Sequence, residues 1–439
     1  MAVANQPTED PFKVLPDMPG LSPSLKQSLN LTSNNTPARL RFLSLVILAL
    51  AVAAGIVASI VVSDRATTTD RIRTVDEPSI LVAREVQASL AEADASAATA
   101  FLAGGIENAD QRLRYEAAIA DAEASLSQLA ALVAGDDESA AAVVTIQQTV
   151  SEYSGLIETA RVNNRQGFPV GAAYLTNASD LLTNEVYPLT DLVANNQSQQ
   201  YRSDVQALIG PQILLPIVAV ALAVFLTIAL LRTQSYIAGK FHRRFNPPLV
   251  IATIISLILA LWLTFAFATQ ALNSSDARDD SYRTVREFVD ARALAFRAKA
   301  AESRFLIARG GETTADFDAE ASRTTDAIIR ATDTGGSSFQ LPQDEWSEYL
   351  AVHGQIIEAV ETGDRTAAEQ LALGASTVEF DEVDDAIVDR LEQSQAQFVS
   401  SMDAAHSATD FLTFGSLALT IAAAVLSFLG IQSRINEYR

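Results

Sequence analysis

The chain contains no cysteine, so neither a disulfide framework nor a thiolate metal site is open to it. Histidine is almost as scarce: among 439 residues only His242, His353 and His406 occur, and none stands near another in a ligand spacing. His353 reads as a bundle or surface histidine. There is no glycine-rich phosphate loop, no HExxH and no GxSxG. Positive charge is short as well: 31 Lys and Arg face 53 Asp and Glu, a net −22, which removes the basic footprint that nucleic-acid binding requires. Without site chemistry the chain reads as a non-enzyme, and no cofactor or metal is expected.

What it does have is long apolar runs. A bilayer-crossing helix needs about 20 apolar residues, and four charge-free stretches meet that length: Phe42–Ser63, Val205–Leu231, Phe245–Ser275 with its core at 247–270, and Phe411–Ser433. The first is too long for a signal-peptide core and follows a polar leader, so it reads as a retained anchor. These runs carry no ionisable residue in their interiors, which argues against a conduction pathway. The small-residue patch "GIVAS" (55–59) suits helix packing.

Charge then orients the spans. The tail 1–41 is +1, the segment 232–246 is +4 and the end 434–439 is +1, whereas 64–204 is −12 and 276–410 is −16. Lys and Arg near span ends stay cytoplasmic. The expectation is a multi-pass plasma-membrane protein with both termini inside, spans at 42–63, 205–231, 247–270 and 411–433, and two large acidic extracytoplasmic domains, 64–204 and 271–410. The tail 1–41, with its prolines, reads as disordered. The basic cytoplasmic loop 232–246 carries Arg232, Lys240, Arg243 and Arg244, either to set topology or to meet an internal partner.

The two domains repeat one another. "AEADASAATAFLAGGIENADQRLRYEAAIADA" (91–122) pairs with "AKAAESRFLIARGGETTADFDAEASRTTDAI" (298–328), and "SEYSGLIETARVNNRQG" (151–167) with "SEYLAVHGQIIEAVETGDR" (347–365). Helix-forming composition with apolar residues at three- and four-residue steps predicts helices, and three breaks per domain predict four of them. Short connections favour antiparallel neighbours. The fold class is therefore all-α: four transmembrane helices and two tandem extracytoplasmic up-down four-helix bundles.

In each bundle the first and third breaks meet at the distal tip. There Gly104, Gly105, Asn163, Asn164, Arg165, Gln166 and Phe168 in the first domain, and Arg309, Gly310 and Gly311 in the second, are candidate partner-binding residues, a polar and aromatic mix suited to a protein interface. Asn and Gly are also ordinary turn formers. In the second domain an Arg-rich first helix (Arg283, Arg286, Arg292, Arg297, Arg304) faces an acidic fourth helix, which predicts a ladder of ion pairs or, alternatively, one Arg clamping an amino-acid carboxylate. Pairs such as Glu92 and Asp94, one or two residues apart, do not face each other on a helix and read as solvated faces.

The motifs "ADASAATAFLAGG" (93–105), "RYEAAIADA" (114–122) and "YSGLIETARVNNRQGFPVGAAYLTNAS" (153–179) resemble the actinobacterial GlnX family of four-span membrane proteins. Members link an extracytoplasmic amino-acid-binding lipoprotein, GlnH, to the cytosolic serine/threonine kinase G, and their outer domains are likened to chemoreceptor sensor domains, so the resemblance implies chemoreceptor sensor-like bundles here. The resemblance implies a signal relay for Asp, Glu, Gln or related amino acids, with a GlnH-like lipoprotein docking outside and a kinase G-like enzyme controlled inside. Two other readings stay open: a sensor that binds the amino acid directly in its own bundle, and an envelope scaffold.

Overall fold

The computed structural model describes residues 36–104, 109–209, 214–241, 246–273, 276–308, 314–335 and 341–436, and every regular element among them is helical. The chain divides into an apolar unit, residues 1–61, 214–266 and 413–439, and a polar unit, residues 62–213 and 267–412.

Apolar segments of α1 (Thr36–Arg71), α7 (Leu214–Phe241) and α8 (Pro247–Asn273) are long and apolar enough to cross a membrane. A fourth apolar stretch, Ala418–Ser433 of α13 (Ala375–Asn436), is shorter. Leu40, Ile47 and Ala51 pack with Leu226, Leu230, Leu249, Ala252 and Ile431. Small residues let the backbones close up. A Cβ on Gly55 would stand 3.0 Å from Thr420, and one on Gly430 would stand 2.6 Å from a Leu249 methyl. The expected role of the "GIVAS" patch in packing is met at Gly55. Pro247 opens α8, where its missing N–H costs nothing, and the Asn246 side chain donates to the Gly430 carbonyl at 2.8 Å. Helix α7 carries on through Arg232–Phe241 rather than giving way to loop, because nothing in "RTQSYIAGKF" breaks a helix and Tyr236 and Ile237 still find apolar neighbours.

In the polar unit, a π turn at Ile72–Asp76 leads from α1 into α2 (Glu77–Ala103), followed by α3 (Ala109–Leu132) and α4 (Asp137–Arg165). Helix α5 (Val170–Leu181) passes through a second π turn, Leu182–Val186, into α6 (Tyr187–Ile209). Each π turn ends two residues before a proline, Pro78 or Pro188. A helical proline lacks the N–H for its bond and crowds the carbonyl one turn back, and a widened turn gives that ring room. Val86, Leu90, Leu126, Leu129, Ile146, Tyr153, Ile157, Leu175 and Val193 form one core.

While α12 (Arg365–Leu373) sets Ala368 and Ala372 against Leu306 and Ile356 in a small cluster of its own, a second core belongs to α9 (Asp276–Ile307), α10 (Ala315–Gly335), α11 (Leu341–Glu361) and α13. It is built on Phe288, Phe296, Trp346, Tyr349, Phe380 and Ile387, and Ala91 and Ala95 of α2 belong to it too. The breaks at Gly104, Gly135, Gly167 and Gly363 fall where glycine and polar turn residues predict them. Gly374 is an additional break, separating α12 from α13. Helices α2 and α9 lie side by side along an alanine seam, with Ala88 against Val289 and Ala293, and Ala91 and Ala95 against Ala291, Ala295 and Ala298. The two halves of the polar unit are thus one packed body.

Candidate functional site

The first and third breaks of the first half do come together. Helix α2 ends at Gly104, whose φ of 67° is a left-handed conformation that suits glycine. The Phe101 carbonyl there accepts from the Gly104 N–H at 3.2 Å and from the Asn164 side-chain amide at 3.0 Å. Asn164 on α4 therefore caps the end of α2, while Asn163 turns back to the Thr159 carbonyl at 2.8 Å. Gly167, at φ 71°, lets the chain reverse so that the Phe168 N–H reaches the Asn163 carbonyl at 2.9 Å. Gly171 then passes so close that a Cβ would sit 3.0 Å from the Ala160 carbonyl and 3.1 Å from the Phe101 ring. This fixed turn holds Phe168 outward, 52% exposed, with Val162 and Val170 exposed beside it and Arg165 and Gln166 also at the surface.

The second half repeats the cap with different chemistry. Arg365 donates to the Leu306 carbonyl near the end of α9, Gly363 takes φ 83°, and Asp364 caps α12 through the Ala367 N–H at 3.0 Å. Gly105, Arg309, Gly310 and Gly311 lie outside the described residues, as do Arg243 and Arg244 of the basic segment. Arg232 is exposed on α7, and Lys240 lies in the last turn of that helix with its side chain outside the described residues.

The acidic pairs on α2 are not solvated faces. Asp94 is buried, and Arg304 of the second half donates to it at 2.9 Å while Ser179 donates at 2.7 Å. Burial pushes the Asp94 carboxyl above its ordinary range, and Arg304 and Ser179 hold it back. Glu92 accepts from Arg292 at 2.8 Å, and Arg292 also grips Asp384 of α13 at 2.7 Å. Arg84 reaches Asp290 at 3.3 Å, and Arg114 makes a two-pronged pair with Asp381 at 2.7 and 3.0 Å. The expected ladder between the first and fourth helices of the second domain is met at Arg292–Asp384. Arg304 crosses to the first half instead, and Arg297 pairs with Glu320 of α10 at 2.6 Å.

Two further clusters are built on ionisable groups. In the second core Glu302, fully buried, accepts from Lys299 at 2.8 Å and Ser376 at 2.7 Å and lies 2.7 Å from His353 Nδ1. Burial alone would raise the Glu302 carboxyl, yet Lys299 and His353 outweigh it and hold it down at about 2. His353 is the bundle histidine that the sequence suggests, stacked on Phe317 with centroids 3.4 Å apart. At the first π turn, buried Asp76 faces Asp204 of α6, and burial together with that second carboxylate pushes Asp76 up to about 7. Arg71 stands 3.8 Å from Asp76 and 3.4 Å from Asp204.

Sequence reasoning placed the tip residues in turns but missed the Arg304–Asp94 and Arg292–Glu92 contacts, whose partners are 210 and 200 residues apart. The available signal was the repeat itself: two copies of a helix rich in alanine, one carrying carboxylates and the other arginines.

These features define an all-helical chain in which helices of membrane-crossing length and composition accompany a polar helical unit of two packed halves. Within that unit, residues 68–206 match the family described as an actinobacterial sensor domain, so a sensor domain is present in the first half. No curated protein and no solved structure matches the chain.

Proposed function

We propose that the chain is a non-enzymatic transmembrane signal relay made of four membrane spans and two tandem extracytoplasmic four-helix bundles. The observation that carries the reading is the sensor-domain match at residues 68–206, whose helices include the outward-facing turn at Asn163–Phe168. Through its resemblance to the GlnX family, the chain is assigned a GlnH-like amino-acid-binding lipoprotein as external partner and a kinase G-like serine/threonine kinase as internal one. The signal is the presence of Asp, Glu, Gln or a related amino acid. Shifts of about 1–2 Å or small rotations of packed helices are sufficient to carry such a signal. Helix α1 holds both apolar and polar sequence, as α13 does, so each is suited to pass a displacement along its own axis. Arg232, Lys240, Arg243 and Arg244 then present a basic surface to the kinase.

The test uses the full chain in lipid nanodiscs and the candidate lipoprotein, with and without aspartate or glutamate. Ligand-dependent binding, lost when residues 163–169 are deleted while helicity is kept, is the expected result. Absence of binding by a folded chain overturns the lipoprotein reading.

A further inference from the structure

The first π turn brings two carboxyl groups together with too few donors to satisfy them. Asp76, at the end of the turn, is fully buried, and neither of its carboxyl oxygens receives a hydrogen bond from an N–H or O–H of the described residues. Asp204 faces it from α6; one Asp204 oxygen accepts from Gln200 at 3.1 Å, and the other has no donor either. Arg71, at the end of α1, is the cation beside both, at 3.8 and 3.4 Å, distances of ion pairing and not of hydrogen bonding, and its side chain is 53% exposed. The other charged groups nearby are Glu77, which follows Asp76 and is itself buried, Arg73, paired with Asp70, and Asp136 at the start of α4, which accepts from Ser139 and Gln197.

One arginine between two carboxylates leaves one negative charge over, in a place where a charge without donors is costly. A single proton removes both difficulties. A protonated carboxyl is an O–H donor, so it supplies the bond that the pair lacks, and the trio of Asp76, Asp204 and Arg71 becomes neutral. Two carboxyl groups so placed titrate as a pair, because the ionisation of one opposes that of the other.

We propose that Asp76 and Asp204 form a one-proton latch that makes the polar unit responsive to pH: with the proton bound they hydrogen-bond to each other and hold the π turn on α6, and when the proton passes to solvent two like charges loosen that contact. Burial first, and then the Asp204 carboxylate, push Asp76 up to about 7, so the latch is closed below that pH and opens as pH rises through it. The neighbouring polar link from α2 to α6, Ser79 to Gln197, is long at 3.3 Å, which leaves the carboxyl pair placed to decide how firmly the helices hold here. Outside the membrane, where the proposed topology puts it, the latch reads the pH of the envelope. Its test depends neither on that placement nor on the lipoprotein, because a nanodisc exposes both faces to the same buffer.

The chain has no cysteine, so spin labels attach only where cysteines are introduced. The full chain in nanodiscs, labelled at Thr74→Cys and Ser203→Cys, both exposed positions, is followed by electron–electron distance measurement from about pH 5 to about pH 9. The latch predicts a one-proton transition in that distance with its midpoint at about 7. Asp76→Asn should hold the shorter distance across the whole range, because an amide donates where the proton did. Asp204→Asn should move the midpoint down by about one pH unit or more, the scale of one like-charge neighbour. Infrared difference spectra read the proton itself: a protonated-carboxyl band should fade through the same midpoint and be missing in Asp76→Asn, with circular dichroism confirming that both variants fold. A distance indifferent to pH, a transition unchanged by Asp76→Asn, or no carboxyl band lost on that substitution would each overturn the latch.

Discussion

Arg304→Met offers a direct test of the seam. The Arg304 side chain is 18% exposed and its Asp94 partner 7%, at 2.9 Å, so the substitution strands a nearly buried carboxylate with the hydroxyls of Ser179 and Tyr153 as the donors left beside it. Removing one partner of a buried pair costs about 3–5 kcal/mol. Ser179 and the residual exposure of the site place this case near the lower end, about 3 kcal/mol. At about 2–4 °C per kcal/mol for larger domains, the thermal midpoint of the full chain in detergent, followed by circular dichroism, should fall by about 6–12 °C. The loss should depend on pH in one direction. Asp94 already sits above its ordinary carboxylate value because of burial, and without Arg304 it rises further. The folded state then holds a proton that the unfolded state releases, so the variant keeps most of its stability at about pH 4 and loses it as pH climbs through the raised value. Asp94→Asn added to Arg304→Met should recover most of the midpoint, because it removes the stranded charge. An unchanged midpoint, a loss independent of pH, or no rescue by the second substitution would refute the reasoning.

Asp76→Asn should stabilise the chain above about pH 7 by about 2–4 kcal/mol and flatten its stability between about pH 4 and pH 7, measured by thermal unfolding across pH. The sign follows because Asp76 is raised to about 7 in the fold: its proton is retained there below that pH, and stability is lost as pH rises through it. Glu302→Gln should destabilise by about 3–5 kcal/mol, since it leaves Lys299 buried without its carboxylate, and a Glu302→Leu/Lys299→Met pair should cost much less in the same melt. Asn164→Ala should loosen the end of α2 by about 1 kcal/mol, seen as faster amide exchange around Phe101, whereas Phe168→Asp should leave stability within about 0.5 kcal/mol and abolish lipoprotein capture.

Local chemistry made the turns legible. Gly104, Gly167 and Gly363 all take positive φ, and each lies in a glycine-bearing break that the sequence marks. Gly374 escaped because a single glycine in an alanine-rich run is tolerated inside many helices. The π turns escaped because Pro78 and Pro188 stand within strongly helical sequence, and the backbone absorbs them by widening a turn instead of ending the helix. The tip was legible in position, since Asn163–Phe168 reads as a turn, but its cap was not: nothing near Asn164 in sequence indicates the Phe101 carbonyl 63 residues away. The seam was the least legible part. Glu92 and Asp94 have the spacing of surface residues, and only the packing of α2 on α9 brings Arg292 and Arg304 onto them.

The wide turn at Ile72–Asp76 stores a surplus residue in a helix that otherwise rises 1.5 Å and turns about 100° per residue. Were that surplus expelled, everything before it in α1 would screw by about one residue's worth, about 100° and 1.5 Å, relative to α2, without any hydrogen-bonded segment having to melt. The buried Asp76 sits at the end of that turn, so its proton and the helix phase are set at the same place.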